Sequence, residues 1–450
     1  MKDLTKGHEG KLIFYFALPM LIGNIFQQLY NTVDSIIVGN FLGKEALAAV
    51  STSFPVLFLL ISLIMGITMG STILISQFYG AKDYANLKKT IDTTYIFLFV
   101  GSILITILGL VLSGPILKLL NTPGNILPQA KSYINVIFIG IVAMFGYNSI
   151  SAILRGLGDS KTPLKFLIIS TILNIILDVL FIVVFKFGVS GAAWATVIAQ
   201  GFSFIYGIYH LNKHHEVLKF NVKDMEFDKA IFFKSLKIGL PSGVQQVLFS
   251  LGMMAIQSII NPFGETTMAA FGAGSRLNSF GTMPIMNFGS AISAFVGQNL
   301  GAGKNERVKK GYKYTLLMSV SMSIIITVLV FIFGEKMVWL FNKDPEVIKI
   351  GTSYLKIVSS FYAVVSIMFI TTGVLRGAGD TFVPMIISIL TLWLIRIPVA
   401  TFLSERIGTN GIWASVPAGW TIGMVLTIGY YMSGRWKKKV VIKRGLNYEQ

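Results

Sequence analysis

Twelve long apolar segments follow one another along the chain, separated by short turns rich in charge, glycine or proline. A helix needs about 20 mostly apolar residues to cross the hydrocarbon core of a bilayer, and each segment reaches that length. The pattern therefore predicts an all-α polytopic membrane protein with twelve transmembrane helices. The predicted spans are 13–38, 46–79, 92–117, 132–154, 164–185, 190–210, 232–260, 267–300, 312–334, 351–375, 382–403 and 409–432, with boundaries good to about four residues.

Composition supports this interpretation. Of 450 residues, 54% are hydrophobic and 13% are charged, whereas soluble proteins carry about 25% charged residues. The mean hydropathy is +0.71. These values exclude a soluble enzyme, a disordered scaffold and a receptor with a single anchor. The chain has no cysteine, which excludes disulfides, thiolate nucleophiles and cysteine metal sites. With no cysteine in the chain, and with histidine only at the end of one span (His210), we expect no intramembrane enzyme and no cofactor.

The net charge of +18 sorts to one side of the membrane. When the loops are assigned alternately, Lys and Arg favour the side of both termini by roughly three to one. We therefore expect both termini in the cytoplasm of a bacterial cell with the protein in its plasma membrane, and we expect no nucleic-acid partner. A basic C-terminal tail suits anionic lipid heads: Arg435, Lys437, Lys438, Lys439, Lys443 and Arg444.

The two halves of the chain resemble each other at a spacing of about 221 residues. LRGLGDSKTP (154–163) corresponds to LRGAGDTFVP (375–384), and Ser132-Tyr133 corresponds to Ser353-Tyr354. Six spans per half predict parallel repeats, an arrangement that transporters use for alternating access. The predicted domains are an N-terminal lobe (1–210), a cytoplasmic connector (211–231) and a C-terminal lobe (232–450).

Two carboxylates, Asp34 and Asp178, lie well inside predicted spans. An intramembrane carboxylate costs about 2.5–3.5 kcal/mol, so a functional role is preferred over a purely structural one. Helical spacing places Gln27, Tyr30 and Asn31 on the Asp34 face, where we assign them to the substrate cavity, and places Asn174 on the Asp178 face. A paired site of this kind takes up a proton or a cation rather than staying doubly ionised. Its oxygen ligands suit H⁺ or Na⁺.

The C-terminal lobe does not repeat this pair. At the repeat offset, Asp34 corresponds to Ile256, Asn174 to Ile395 and Asp178 to Val399, so the predicted ion site belongs to the N-terminal lobe alone. Arg276 and Arg396 lie in spans of the C-terminal lobe. A structural role is preferred for both, by bonding to helix carbonyls or by reaching the interface, and binding of an anionic group is the alternative.

Two further features bear on movement. Pro19 lies inside the first span, where it removes a backbone hydrogen bond and makes either a static kink or a hinge. In the paired LRGxGD loops, we expect the glycine to end one helix and the aspartate to cap the next.

The sequence resembles the multidrug and toxic compound extrusion (MATE) transporters over nearly its whole length. The most specific segments are LPMLIGNIFQQLYNTVDSIIVG (18–39), QFYGAKD (77–83), the LRGLGDSKTP loop and NIILD (174–178). The acids resemble those of the DinF-like branch. That resemblance implies a cation site at Asp34, Asn174, Asp178 and Thr196, which would also hold Na⁺ if Na⁺ is the coupling ion, and a kinking proline at Pro19.

The resemblance implies a secondary antiporter that exports amphipathic, often cationic, organic compounds in exchange for H⁺ or Na⁺. We expect a monomer whose partners are small molecules and lipid. A flippase for lipid-linked oligosaccharides, from the same superfamily, is the alternative, since Arg276 and Arg396 could face a pyrophosphate. A passive channel or a receptor would leave the repeat and the asymmetric carboxylate pair unexplained.

Overall fold

The computed structural model describes residues 3–120, 122–214 and 219–442. Every regular element in these ranges is helical. The α-helices are α1 (Glu9–Leu42), α2 (Lys44–Gly80), α3 (Tyr84–Leu119), α4 (Leu127–Gly156), α5 (Lys161–Asp178), α6 (Val189–His214), α7 (Lys229–Ile260), α8 (Gly264–Gly301), α9 (Asn305–Trp339), α10 (Pro345–Ser359), α11 (Tyr362–Gly377), α12 (Phe382–Ile389), α13 (Ile397–Ile407) and α14 (Thr409–Met432).

The helices account for the predicted twelve crossings. Ten stretches of the described residues are long and apolar enough to span a bilayer, and the bent pair α10–α11 adds an eleventh. One of the ten is 73 residues long and contains both α7 and α8, which are separated by the 3₁₀ turn Asn261–Phe263. Counting α7 and α8 separately gives twelve, and the predicted all-α membrane fold is confirmed.

The tenth predicted span (351–375) is not one straight helix in the structure. It consists of α10 and α11, which are bent by 49°. The hydroxyls of Ser359 and Ser360 both donate back to the Lys356 carbonyl, at 3.5 and 2.7 Å. Such bonds compete with the backbone ladder and bend helices.

Two spans contain π-helical turns that the hydrophobic pattern does not predict. Val179–Val184 continues α5, and Leu390–Arg396 joins α12 to α13. A π-helical turn inserts an extra residue into the helix and is frequent at functional sites. The first begins directly after Asp178, and the second ends at Arg396.

The chain divides into two compact units. The first holds Pro19–Leu240, and the second holds Asp3–Leu18 together with the chain from Pro241. This division differs from the predicted lobe boundaries, because the first turns of α1 pack in the second unit and those of α7 pack in the first. Both crossings fall at a proline within a helix, Pro19 in α1 and Pro241 in α7.

In the first unit, α4 packs against α2, α3 and α6. Close approach of α4 to α6 depends on Gly140, since a Cβ there would lie 2.0 Å from Val197 Cγ2. One core cluster of this unit joins the C-terminal part of α1 to α4 and α6 through Val38, Tyr133 and Ala193. This packing fixes α1 and α6, which carry the predicted ion-site residues Asp34 and Thr196.

In the second unit, α8 packs against α9, α10 and α11. The start of the chain is anchored there, with Leu4 buried and its carbonyl accepting a hydrogen bond from Asn299 Nδ2 (3.2 Å). Arg307 in α9 forms an ion pair with Glu9 at 3.0 Å. Of the predicted basic tail, Lys443 and Arg444 lie outside the described residues.

The LRGxGD loops have the capping geometry expected from the sequence. Gly158 and Gly379 have positive φ values of 84° and 96° directly after helices. Asp159 then accepts hydrogen bonds from the backbone N–H groups of Lys161 and Thr162, both at 3.0 Å, at the start of α5. In the second loop, Asp380 accepts a hydrogen bond from the backbone N–H of Val383 (3.5 Å) at the start of α12, so the capping expected from the sequence is present in both loops.

Candidate functional site

Asp34 of α1 and Asp178 of α5 meet inside the first unit. Their carboxyl groups interact directly. Two like charges this close in a largely buried place do not both stay ionised, so a pair of this kind takes up a proton or a cation. Asp178 is completely buried and Asp34 is half-buried.

The pair retains free acceptor capacity. Oδ1 of Asp34 and Oδ1 of Asp178 are both buried and have no hydrogen-bond partner among the described residues. Buried polar atoms are otherwise nearly always satisfied. Two unsatisfied carboxyl oxygens in one place fit the binding of a small cation or an additional proton.

The local fold explains how Asp178 reaches this position. It is the last residue of α5, immediately before the π-helical turn Val179–Val184. One turn earlier, Asn174 is also buried, with 1% of its surface exposed. The i, i+4 spacing places both side chains on one face of α5, as the sequence predicts.

Asn174 connects the pair to α6. With its amide nitrogen facing the carboxylate, it donates to Asp178 Oδ2 (2.9 Å), and its carbonyl oxygen accepts from the Thr196 backbone N–H (3.2 Å). The Thr196 hydroxyl in turn lies 2.9 Å from the Tyr30 hydroxyl. The predicted residues Asp34, Asn174, Asp178 and Thr196 therefore lie in one polar cluster, to which Tyr30 belongs.

The other predicted cavity residues lie beside this cluster. Gln27 is half-buried and Asn31 is exposed on α1, and no recorded hydrogen bond joins either side chain to the acids. Their assignment to a substrate cavity stays a prediction.

Pro19 lies fifteen residues before Asp34 within α1, where the helix passes from the second unit to the first. The structure records it within a continuous helix, so its role as a hinge also stays a prediction.

Tyr133 of α4 is a neighbour of the acids that sequence reasoning did not assign to the site. It is buried, and both Asp34 and Asp178 act on its hydroxyl electrostatically. The only signal in the sequence is its place in the repeat, where it corresponds to Tyr354. Clusters of three or more His, Cys, Asp or Glu side chains that could hold a metal do not occur in the described ranges.

Comparisons with known proteins agree with this architecture. The sequence model of the MatE family matches residues 19–180 and 241–402 separately, which is one match for each half of the predicted repeat. Two curated relatives come from Bacillus subtilis. The chain is 34% identical to the probable multidrug resistance protein YpnP, over 97% of each chain. It is 33% identical to the probable multidrug resistance protein YoeA, over 95% of this chain and 94% of YoeA.

A solved structure gives the same fold. It is described as the outward-facing conformation of a multidrug resistance MATE family transporter of the MOP superfamily, with a TM-score of 0.90 and 25% identity, covering 97% of this chain and 99% of that chain. The resemblance inferred from the opening segment and the NIILD segment is therefore confirmed: the chain belongs to the MatE family of membrane transporters.

Proposed function

We propose that this protein is a multidrug efflux antiporter that exports amphipathic, often cationic, organic compounds in exchange for H⁺ or Na⁺. The main support is the Asp34–Asp178 pair, which lies buried in one unit with two unsatisfied oxygens. The relatives YpnP and YoeA are described as probable multidrug resistance proteins, which supports organic compounds as the substrates.

The pair binds the coupling ion. Asp34 and Asp178 supply the charge, and the hydroxyl of Thr196 and the amide of Asn174 supply neutral groups around it. With the Asn174 nitrogen on Asp178, the cluster suits a shared proton. For Na⁺, that amide would turn so that its oxygen faces the ion, since an amide N–H is a donor and cannot ligate a cation.

Ion occupancy acts through α1. When the pair is loaded, the contacts of Asp34 and Tyr30 with α5 and α6 change, and this movement weakens substrate binding. The two units then alternate between outward-open and inward-open arrangements by a rocker-switch motion, with Pro19 as the hinge in α1. Neither carboxyl acts as a catalyst, because no bond of the substrate is made or broken.

The energy available is sufficient for useful export. One elementary charge that enters across about 100 mV releases about 2.3 kcal/mol. A tenfold substrate gradient costs about 1.4 kcal/mol. One inward ion at that voltage therefore supports roughly a 50-fold gradient of a neutral compound.

We further propose that the protein works as a monomer in the bacterial plasma membrane, with both termini in the cytoplasm. The C-terminal basic segment lies against anionic lipid heads, and the buried Trp436 beside it suits a position near the membrane interface.

A lipid-linked oligosaccharide flippase is the second candidate. It is favoured by Arg376 and Arg396 of the second unit, each of which has a buried Nε atom without a partner among the described residues. Transport of a pyrophosphate lipid would use such charges. The carboxyl pair in the first unit has no role in that activity, and this favours the antiporter.

The test is efflux of a cationic dye from proteoliposomes, with a pH gradient and a Na⁺ gradient imposed separately. We expect one of the two gradients to drive dye movement against its concentration gradient, and the other to have no effect. Dye movement that is independent of both gradients would reject the antiporter. A fluorescent pyrophosphate lipid in the same vesicles tests the flippase, which would translocate it without dye efflux.

A further inference from the structure

Two arginines of the second unit lie in membrane helices without an acidic partner. The ion pairs among the described residues involve neither Arg376 nor Arg396. Arg376 is partly satisfied, since its Nη2 donates to Gln245 Oε1 (2.8 Å). Arg396 directs Nη1 at Met253 Sδ (3.5 Å), and a thioether is a weak acceptor. Of the two arginines, Arg396 therefore has the weaker hydrogen-bond partner.

The surroundings of Arg396 are largely apolar. Its neighbours in sequence, Ile397 and Ala400, belong to the hydrophobic cluster of the second unit, which also includes Ile256. Its Cβ lies 3.4 Å from the position that a Cβ on Gly419 would take in α14. Arg396 is half-buried, and its Nε atom is buried without a partner among the described residues. A nearby negative charge would stabilise this guanidinium, because burying an unpaired charge is expensive.

A second donor, the hydroxyl of Tyr354 in α10, interacts electrostatically with Arg396. The Tyr354 ring is held by Trp413, whose ring lies 5.0 Å away at an interplanar angle of 82°. A guanidinium and a phenol hydroxyl are both hydrogen-bond donors, a combination suited to an anion.

The repeat relates this place to the cation site. The two segments that match the family begin at 19 and 241 and end at 180 and 402, an offset of 222 residues. At that offset Arg396 corresponds to Asn174, whereas at 221, the offset of the LRGxGD segments and of Tyr133 and Tyr354, it corresponds to Ile175. In either register no acid of the second unit takes the places of Asp34 and Asp178, and an arginine lies at or next to the place of Asn174.

We propose that the second unit contains an anion-binding site centred on Arg396, which binds a carboxylate group. The guanidinium holds the carboxylate by charge-assisted hydrogen bonds, which it can form in pairs, and Tyr354 adds a hydroxyl donor. The carboxylate belongs either to a zwitterionic substrate or to a small free acid. The sequence alone favours a structural role for Arg396, and its unsatisfied Nε and weak sulfur contact are the reasons to assign it a ligand.

The proposal goes beyond the antiporter function by naming a chemical group, a carboxylate, that the second unit recognises on its ligand. It does not depend on which ion is coupled, because the binding site is assayed without a gradient. The antiporter proposal is tested by gradient-driven efflux and this one by the dependence of dye affinity on Arg396, so failure of the antiporter proposal and failure of this one give different results.

The test uses a matched pair of dyes, rhodamine B, which has a free carboxylate, and its ethyl ester, which lacks it. Fluorescence anisotropy with the purified full-length protein in detergent gives the affinity ratio of acid to ester. We expect Arg396→Gln to lower this ratio by about tenfold or more, the usual effect of losing a hydrogen bond to a charged group. The affinity for the ester stays unchanged. Arg276→Gln, at an exposed arginine of the same unit, is the matched control and keeps the wild-type ratio.

A small free acid as the ligand gives a different result. In that case sodium acetate, at constant ionic strength, raises the melting temperature of the wild type but not that of Arg396→Gln. The affinity ratio of the acid dye to the ester dye then does not depend on Arg396. If Arg396→Gln does not fold, Tyr354→Phe is used in its place, since it keeps the ring packing. We expect Tyr354→Phe to reduce whichever of the two effects the wild type shows. The proposal is overturned if the wild type shows neither a carboxylate preference sensitive to these substitutions nor stabilisation by acetate.

Discussion

Replacing Asp34 with asparagine removes one charge from the carboxyl pair while keeping the size of the side chain. In the structure the two acids lie together in one polar cluster. We predict that the pair binds one monovalent ion per cycle, because two like charges in contact do not both stay ionised. In the Asp34→Asn variant, the carboxyl of Asp178 no longer has a second carboxyl beside it. The variant therefore loses the change between the ion-loaded and the ion-free pair, on which coupling depends.

The size of the effect follows from the charge balance. Exchange of one monovalent cation for a substrate with one positive charge moves no net charge, so the membrane voltage contributes nothing. The concentration gradient of the ion is then the whole driving force. One pH unit is worth about 1.4 kcal/mol and supports about a tenfold substrate gradient. Two independently bound protons would support roughly a hundredfold gradient for the same pH step, before any contribution from voltage.

The assay is the steady-state gradient of a monocationic dye in proteoliposomes at zero voltage, set with valinomycin and equal K⁺. If the coupling ion is H⁺, the wild type reaches about a tenfold gradient per pH unit; if it is Na⁺, it reaches the same gradient for each tenfold Na⁺ ratio. Asp34→Asn and Asp178→Asn each reduce the gradient to one. The double variant is no worse than either single one, because the two groups act as a unit.

Asp224→Asn is the matched control. It makes the same chemical change at an exposed position between α6 and α7, and we expect it to transport like the wild type. If Asp34→Asn keeps gradient-driven efflux within twofold of the wild type at equal reconstituted amounts, the shared-ion reasoning is refuted.

Two further predictions concern the support of the pair. Tyr30→Phe loses the hydrogen bond to Thr196 (2.9 Å), worth about 0.5–1.5 kcal/mol. It should raise the ion concentration for half-maximal efflux by roughly two- to tenfold, and an unchanged value would show that this bond does not support ion binding. Gly140→Ala places a Cβ 2.0 Å from Val197, and we expect it to destabilise the packing of α4 on α6 by about 1–3 kcal/mol. Thermal unfolding measures this loss, and Gly101→Ala, which meets nothing within 4 Å in α3, should show none.

Much of the fold follows from the hydrophobic pattern. Each predicted span overlaps an observed helical crossing, because a bilayer requires long apolar segments whose backbone groups are paired internally. The pattern does not show the bend at 359–360, which arises from serine hydroxyls bonding to a backbone carbonyl. Nor does it show the π-helical turns, since an added residue changes the hydrogen bonding without changing the hydrophobicity.

The assignment of helix ends to units could not be read from the sequence either. The sequence places the boundary between the lobes in the segment 211–231, because a polar segment between apolar spans is typical of a connector. In the structure the first turns of α1 and α7 pack in the opposite units, with the crossings at Pro19 and Pro241. Tertiary contacts decide this, such as the hydrogen bond from Asn299 to the Leu4 carbonyl and the one from the Asp228 backbone N–H, just before α7, to the Thr93 hydroxyl. These contacts depend on distant parts of the chain.

The candidate cation site was largely predictable, and the reason is energetic. An acid inside a span is costly, so Asp34 and Asp178 stand out in the sequence, and helical spacing adds Tyr30 and Asn174. Thr196 was added by family resemblance alone, because a threonine in an apolar helix is not unusual. Tyr133 was missed because a buried tyrosine has many roles and because Asp34 and Asp178 lie 99 and 45 residues away from it along the chain.

The central claim is that the carboxyl pair releases its ion when substrate binds. The most direct measurement is ion release from the purified protein in weakly buffered detergent solution, recorded with a pH indicator and with ²²Na⁺ during addition of a cationic dye. We predict release of about one H⁺ or one Na⁺ per protein from the wild type and from Asp224→Asn, as expected for a coupled pair. Asp34→Asn should bind dye without releasing either ion. Equal release from Asp34→Asn and the wild type would contradict the account.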